Sequence, residues 1–270
     1  MPAVSLSSLS LSSSLLACFG LAGSFVLSLY LADGGRSRDH PLTVKRRITA
    51  VTMVTIASPL LLYVLAGYPP LPTLLQLLGI KTEGLLRSVT IPFILIPLLY
   101  AGPILQTLTS EGLVNPLADE RPDIILRNYV VAPLAEEVVF RGCMVPLLLP
   151  HLQSSWTIII GPLFFGLAHI HHLIGRYLHE GEPLLLGIIN ALFQTTYTSL
   201  FGMFSSYLFI RTGHLVTPVL SHSLCNVLGL PNFIGLRQHK YRYLVSVAYV
   251  AGLAGFIYFL PKLTNPVYYN

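Results

Sequence analysis

Five stretches of this chain are uncharged and long enough to cross a hydrocarbon layer: Leu15 to Ala32, Ile48 to Tyr68, Val89 to Leu108, Pro183 to Ile210 and Tyr243 to Leu260. A bilayer core needs roughly 20 apolar residues in a helix. Backbone polar groups in lipid must be satisfied within the segment, so these stretches predict helices rather than open strands. Three further spans are apolar but carry ionisable groups: Ile124 to Leu149, Trp156 to Leu173 and His214 to Leu230. The expectation is an all-α polytopic membrane protein of about eight transmembrane helices around an intramembrane cavity. Leu71 to Ile80 is too short to span and is expected at the interface. Prolines 59, 92, 97, 103, 133 and 146 predict kinks inside spans.

Composition agrees. Of 270 residues, 53% are hydrophobic and 10% are charged, against about 25% charged in ordinary soluble domains. Sixteen Lys and Arg cannot both solubilise such a chain and form a large nucleic-acid face. Nor is the chain disordered, with a mean hydropathy of +0.70. Five basic residues (Arg36, Arg38, Lys45, Arg46 and Arg47) fall in one stretch, as in a loop flanking a membrane. With the N-terminus placed in the lumen, cytosolic loops hold ten basic residues and lumenal loops four, which favours that orientation. The start from Ser5 to Ser14 has no basic residue, so the first span reads as a retained anchor rather than a cleaved signal. Three cysteines in apolar segments (Cys18, Cys143 and Cys225) argue against a disulfide framework. No repeat or linker is visible, so residues 1–270 are expected to form a single domain.

Charge inside a membrane costs about 2.5–3.5 kcal/mol per group on insertion scales, and such groups mark function by default. Glu136, Glu137 and Arg141 lie in one span. Glu137 and Arg141 are i,i+4 neighbours and can pair. Glu136 lies about 100° around the helix. It is expected as an unpaired carboxylate suited to general-base work. Phe165 and His169 share a helix face, as do His222 and Asn226. A carboxylate and an imidazole can deprotonate a water, and imidazole and amide N–H groups can hold an oxyanion. This set suffices for peptide hydrolysis without a covalent intermediate.

The motifs Glu136-Glu137-x-x-x-Arg141, Phe165-x-x-x-His169 and His222-x-x-x-Asn226, in this order on successive apolar helices, resemble the CAAX prenyl endopeptidase family. The strings from Leu126 to Leu134, Ala168 to His172 and Phe209 to His214 resemble its eukaryotic Ras-converting branch. The resemblance is strong over about residues 120–232, the expected catalytic core. It implies removal of the last three residues from farnesylated or geranylgeranylated C-a-a-X proteins such as Ras-like small GTPases. It also implies an endoplasmic reticulum location, a glutamate-type intramembrane mechanism and no metal or other cofactor. Carried over by position, Glu136 and His169 activate water, His222 and Asn226 stabilise the oxyanion, and Glu137 and Arg141 organise the site. The implied partners are the prenylated proteins and membrane lipid, with no nucleic acid. The implied site is reached from the cytosolic side.

Other readings stand beside this one. The charged cluster could serve helix packing alone. His171 and His172 fit an interfacial role, and His172 could border the cavity. Asn190 and Gln194 fit interhelical contact, with substrate contact as a second reading. Arg127 and Asn128 fit a structural role at a helix entrance. Cys143 or Cys225 would need help to become a nucleophilic thiolate, which apolar burial opposes. Glu136, His169 and His222 could hold zinc with an open position. A non-enzymatic transporter or scaffold could use the same polar site to bind a lipidated ligand.

Overall fold

The computed structural model describes residues 9–110, 112, 115–170 and 183–269. Every regular element among them is helical. Four helices are long and apolar enough to cross a membrane: α1 (Leu11–Asp33), α2 (Pro41–Leu65), α11 (Leu184–Thr212) and α14 (Arg242–Leu263). Between α2 and α11 lie α3 (Leu71–Leu77), α4 (Leu85–Thr90), α5 (Pro92–Leu99), α6 (Ala101–Ser110), α7 (Pro122–Leu126), α8 (Ala132–Glu137), α9 (Met144–Leu148) and α10 (Ser154–Ala168). Between α11 and α14 lie α12 (Val216–Leu228) and α13 (Phe233–Gln238). The chain is thus an all-α polytopic membrane protein.

The expected span from Val89 to Leu108 is broken. The helical stretch 85–99 and α6 meet at a bend of 65° at Tyr100. Pro97 and Pro103 flank it, and each lacks the N–H that would continue the ladder. Counted as one span, this pair makes five. The other three expected spans correspond to the helical run 122–148, to α10 of 15 residues and to α12 of 13 residues.

The run 122–148 is the structural centre. Two π-turns interrupt it, at Arg127–Val131 and Val138–Cys143. Each precedes a proline by a few residues. Pro133 and Pro146 cannot donate to the carbonyls one turn back, and the helix responds by widening. The Ala132 N–H reaches the Arg127 carbonyl, and the Met144 N–H reaches that of Val139. Expected kinks at these prolines therefore take the form of π-turns, which recur at functional sites. Val139, Phe140, Cys143, Met144, Leu147 and Leu148 are buried together against Cys18, Leu21 and Phe25 of α1 and Val51 and Leu62 of α2. Outward side chains are also apolar: Leu16, Leu31, Met53, Ile56, Val250 and Ile257 are all more than 60% exposed. A large apolar exterior around a buried polar centre is the pattern of a protein solvated by lipid.

Close approach of α10 and α11 requires small residues, as in other membrane bundles. A Cβ on Gly202 would lie 2.7 Å from Pro162 and 3.0 Å from Arg141 Nη2. Gly202→Ala is expected to cost about 1–3 kcal/mol through overpacking. A lowered thermal midpoint in detergent would show it; an unchanged midpoint would mean that the two helices are not held this closely.

Candidate active site

Four elements converge on one polar cluster: α8 with its following π-turn, α10, α11 and α12. At its centre is the Glu137 carboxylate, fully buried. Its Oε1 accepts from Arg141 Nη1 at 3.2 Å and from His222 Nδ1 at 2.8 Å. Its Oε2 accepts from the Ser205 hydroxyl at 2.6 Å. The expected i,i+4 pair of Glu137 and Arg141 is present. The other two bonds cross to α12 and α11 and tie three helices together. Burying an ion without such partners would cost several kcal/mol.

Phe165 is the apolar counterpart of this anchor. It is 2% exposed, and the Arg141 guanidinium lies over its ring at 4.5 Å. The His169 ring meets it edge-on at 4.7 Å, and Phe140 does so at 5.0 Å. A cation over an aromatic face is attracted to the ring's quadrupole. Phe165 thus partners the face of an arginine whose Nε and Nη2 have no hydrogen-bond partner among the described residues.

Glu136 points elsewhere. It makes no hydrogen bond among the described residues, and its side chain retains 16% exposure. Its Oε2 lies 3.8 Å from His222 Nε2, an ion-pair distance but too long for a hydrogen bond. His169 Nδ1 donates to the Phe165 carbonyl at 2.8 Å, so the neutral ring keeps its lone pair on Nε2. Asn226 is exposed, and its Nδ2 donates to the Asn128 carbonyl at 3.0 Å. His222 and Asn226 share a helix face as the spacing implies, but bond to different partners.

Glu136, His169, His222 and Asn226 all line one cavity of about 630 Å³, which Gln194 and Cys225 also line. A second, smaller cavity is lined by Glu136 and His169 together with Phe25 and Leu29 of α1 and Val51 of α2. Three arginines, from the basic stretch and the helix entrance, also line that cavity. Arg47 forms a two-pronged pair with Asp33 at 2.5 and 2.7 Å. Arg127 bonds Asp39 at 2.6 Å, Asn128 Oδ1 at 2.9 Å and the Arg38 carbonyl at 2.9 Å. Burial opposes ionisation of Asp39, but the Arg127 hydrogen bond and charge outweigh it and hold the carboxyl below its ordinary range. The third arginine, Arg38, lines both cavities.

Sequence reasoning missed Ser205, Arg38 and the bond between His222 and Glu137. Cys143 is sealed in the core, away from both cavities. Among the described residues, no three His, Cys, Asp or Glu side chains gather as a metal-binding group. His171 and His172 lie outside the described residues.

Residues 122–228 match the family model for Rce1-like type II CAAX prenyl endopeptidases, a stretch that holds every residue of the cluster. The human CAAX prenyl protease 2 is 37% identical over 95% of this chain and 83% of its own length. The Arabidopsis thaliana protein of that name is 31% identical over 97% of this chain and 93% of its own length. This chain belongs to the type II CAAX prenyl endopeptidase family. The Saccharomyces cerevisiae CAAX prenyl protease 2 is 29% identical over 80% of this chain. No solved structure matches the chain. Family membership favours a peptidase over a transporter or passive scaffold.

Glu137→Ala is expected to cost about 3–5 kcal/mol by stranding Arg141 in the interior. Both folded yield and activity in detergent should fall. Ser205→Ala should cost less, about 1.5–3 kcal/mol for one hydrogen bond to a charge. A Glu137→Ala protein as stable as the parent would contradict the anchoring role.

Proposed function

We propose that this protein is an intramembrane endopeptidase that removes the C-terminal tripeptide from isoprenylated C-a-a-X proteins. The observation that carries the reading is the grouping of Glu136, His169, His222 and Asn226 around one cavity inside an apolar helical bundle. Family membership supports the substrate class. An isoprenoid partitions into lipid, and Glu136 and His169 also line the smaller, mainly apolar cavity beside Phe25 and Leu29 of α1 and Val51 of α2.

In the proposed reaction, Glu136 and the Nε2 lone pair of His169 hold a water. Glu136 takes one of its protons as the oxygen attacks the carbonyl of the prenylated cysteine. The developing oxyanion receives hydrogen bonds from His222 Nε2–H and Asn226 Nδ2–H. For Nε2 to donate while Nδ1 donates to Glu137, the ring must carry both protons. The Glu137 carboxylate is the counter-charge that makes this form tenable in the interior. Collapse of the tetrahedral intermediate breaks the C–N bond, and Glu136 returns its proton to the departing amine. The products are a prenylcysteine carboxylate and a free tripeptide.

The proposed setting is the endoplasmic reticulum membrane with the site reached from the cytosol, within one catalytic domain spanning residues 1–270. The basic stretch supports this orientation. Arg38 and Arg47 line the cavity region, and the positive-inside rule places such residues on the cytosolic face. The further spans expected at 124–149, 156–173 and 214–230 complete the proposed eight.

Membranes holding the protein, incubated with a farnesylated C-a-a-X peptide, should release the tripeptide. Intact peptide at long times would overturn the reading. Glu136→Ala and His169→Ala should each abolish cleavage while leaving the protein inserted, and wild-type rates in either would remove the proposed base. Asn226→Ala should lower turnover about 10²–10³-fold. Exhaustive chelation should leave the rate unchanged, whereas loss restored by Zn²⁺ would replace the mechanism with a metal-dependent one.

A further inference from the structure

Of the three arginines that line the smaller cavity, two are matched by carboxylates: Arg47 by Asp33 and Arg127 by Asp39. Arg38 is not. Its guanidinium makes no hydrogen bond or ion pair among the described residues, and Asp39, its neighbour in sequence, is committed to Arg127. The Arg38 carbonyl accepts from Arg127, which pins the backbone of the short loop between α1 and α2 and leaves the side chain to the cavities. The residue as a whole is exposed, and it lines the same cavities as Glu136 and His169. Glu136 and Asp39 act on it only through space. A fork of guanidinium donors without a carboxylate, beside a site that cuts peptides near their end, has one obvious complement.

We infer that Arg38 is the specificity residue for the substrate's free C-terminal carboxylate. The inference rests on the proposed endopeptidase reading. Cleavage three residues from the end places the terminal carboxylate about 10 Å beyond the scissile bond in an extended chain. The 630 Å³ cavity lies in the range of roughly 300–1,000 Å³ that accommodates small ligands. Arginine presents parallel N–H donors that match a carboxylate in two-pronged fashion, as Arg47 already does with Asp33. The enzyme thereby counts residues: an internal peptide bond has no terminal charge at that distance, so only chains ending there are held in register.

The test compares two farnesylated peptides of identical sequence, one ending in a carboxylate and one in a carboxamide, with wild-type protein, Arg38→Gln and Arg38→Lys. Wild-type protein should cleave the carboxylate peptide with about 10- to 100-fold higher kcat/KM, the difference residing mainly in KM. Arg38→Gln should lose this discrimination, and Arg38→Lys, which keeps the charge but not the fork, should retain part of it. Equal wild-type cleavage of both peptides would overturn the inference and leave the endopeptidase reading intact. Cleavage of neither would overturn the endopeptidase reading itself. An Arg38→Gln protein that still prefers the carboxylate, or that loses rate on both peptides by the same factor while keeping the preference, would also overturn it. The latter outcome would mean that Arg38 acts on Glu136 instead. Equal wild-type cleavage would overturn the inference even if Arg38→Gln failed to fold, and Arg38→Lys then serves as the second variant that assigns any wild-type preference to this side chain.

Discussion

A carboxylate with no exposure to solvent holds this site together. Glu137 carries a charge that the membrane interior disfavours, and three donors from three elements meet it: Arg141 one turn along, His222 from α12 and Ser205 from α11. The arrangement fixes more than packing. The carboxylate determines which nitrogen of His222 carries a proton toward the protein, and so which nitrogen faces Glu136 and the cavity. Two adjacent glutamates thus divide the work. One is held by three hydrogen bonds, and the other makes none among the described residues and lines the cavity where a reacting molecule would sit. The division follows from the helix itself, since successive side chains point about 100° apart.

The backbone serves the same end. Pro133 and Pro146 remove donors inside the central run, and the helix answers with two π-turns rather than a break. One lies just before the glutamates and the other just after them. The widened turns keep the run continuous through the core while freeing local backbone groups. The Asn128 carbonyl, in the first π-turn, accepts the Asn226 amide and so fixes α12 against the central run. Small residues on α11 then allow that helix to reach Arg141 and Phe165.

Much of the fold was legible because lipid imposes a simple rule of long uncharged runs. α1, α2, α11 and α14 follow it. The run from Val89 to Leu108 obeyed the rule in composition but not in shape, because hydropathy is blind to the 65° bend at Tyr100. In the site, groups whose charge is costly at depth announced themselves, as Glu136, Glu137 and Arg141 did. The i,i+4 spacing placed His222 and Asn226 on one face but could not say that one would bond to Glu137 and the other to Asn128. Ser205 was hidden among the many Ser and Thr residues of α11, where a hydroxyl bonding to its own helix looks the same in sequence. Arg38 was hidden in a basic stretch whose signal was orientation. Only the pairing of its neighbours with Asp33 and Asp39 sets it apart.

The anchoring role of Glu137 is tested most directly by a double-mutant cycle with His222, read as thermal stability in detergent for Glu137→Gln, His222→Gln and the pair. If one hydrogen bond at 2.8 Å joins them as described, the two losses should be non-additive, with a coupling of about 1–3 kcal/mol. Losses that add to within about 0.5 kcal/mol would show the two residues to be independent, and the carboxylate would no longer be the centre of the site.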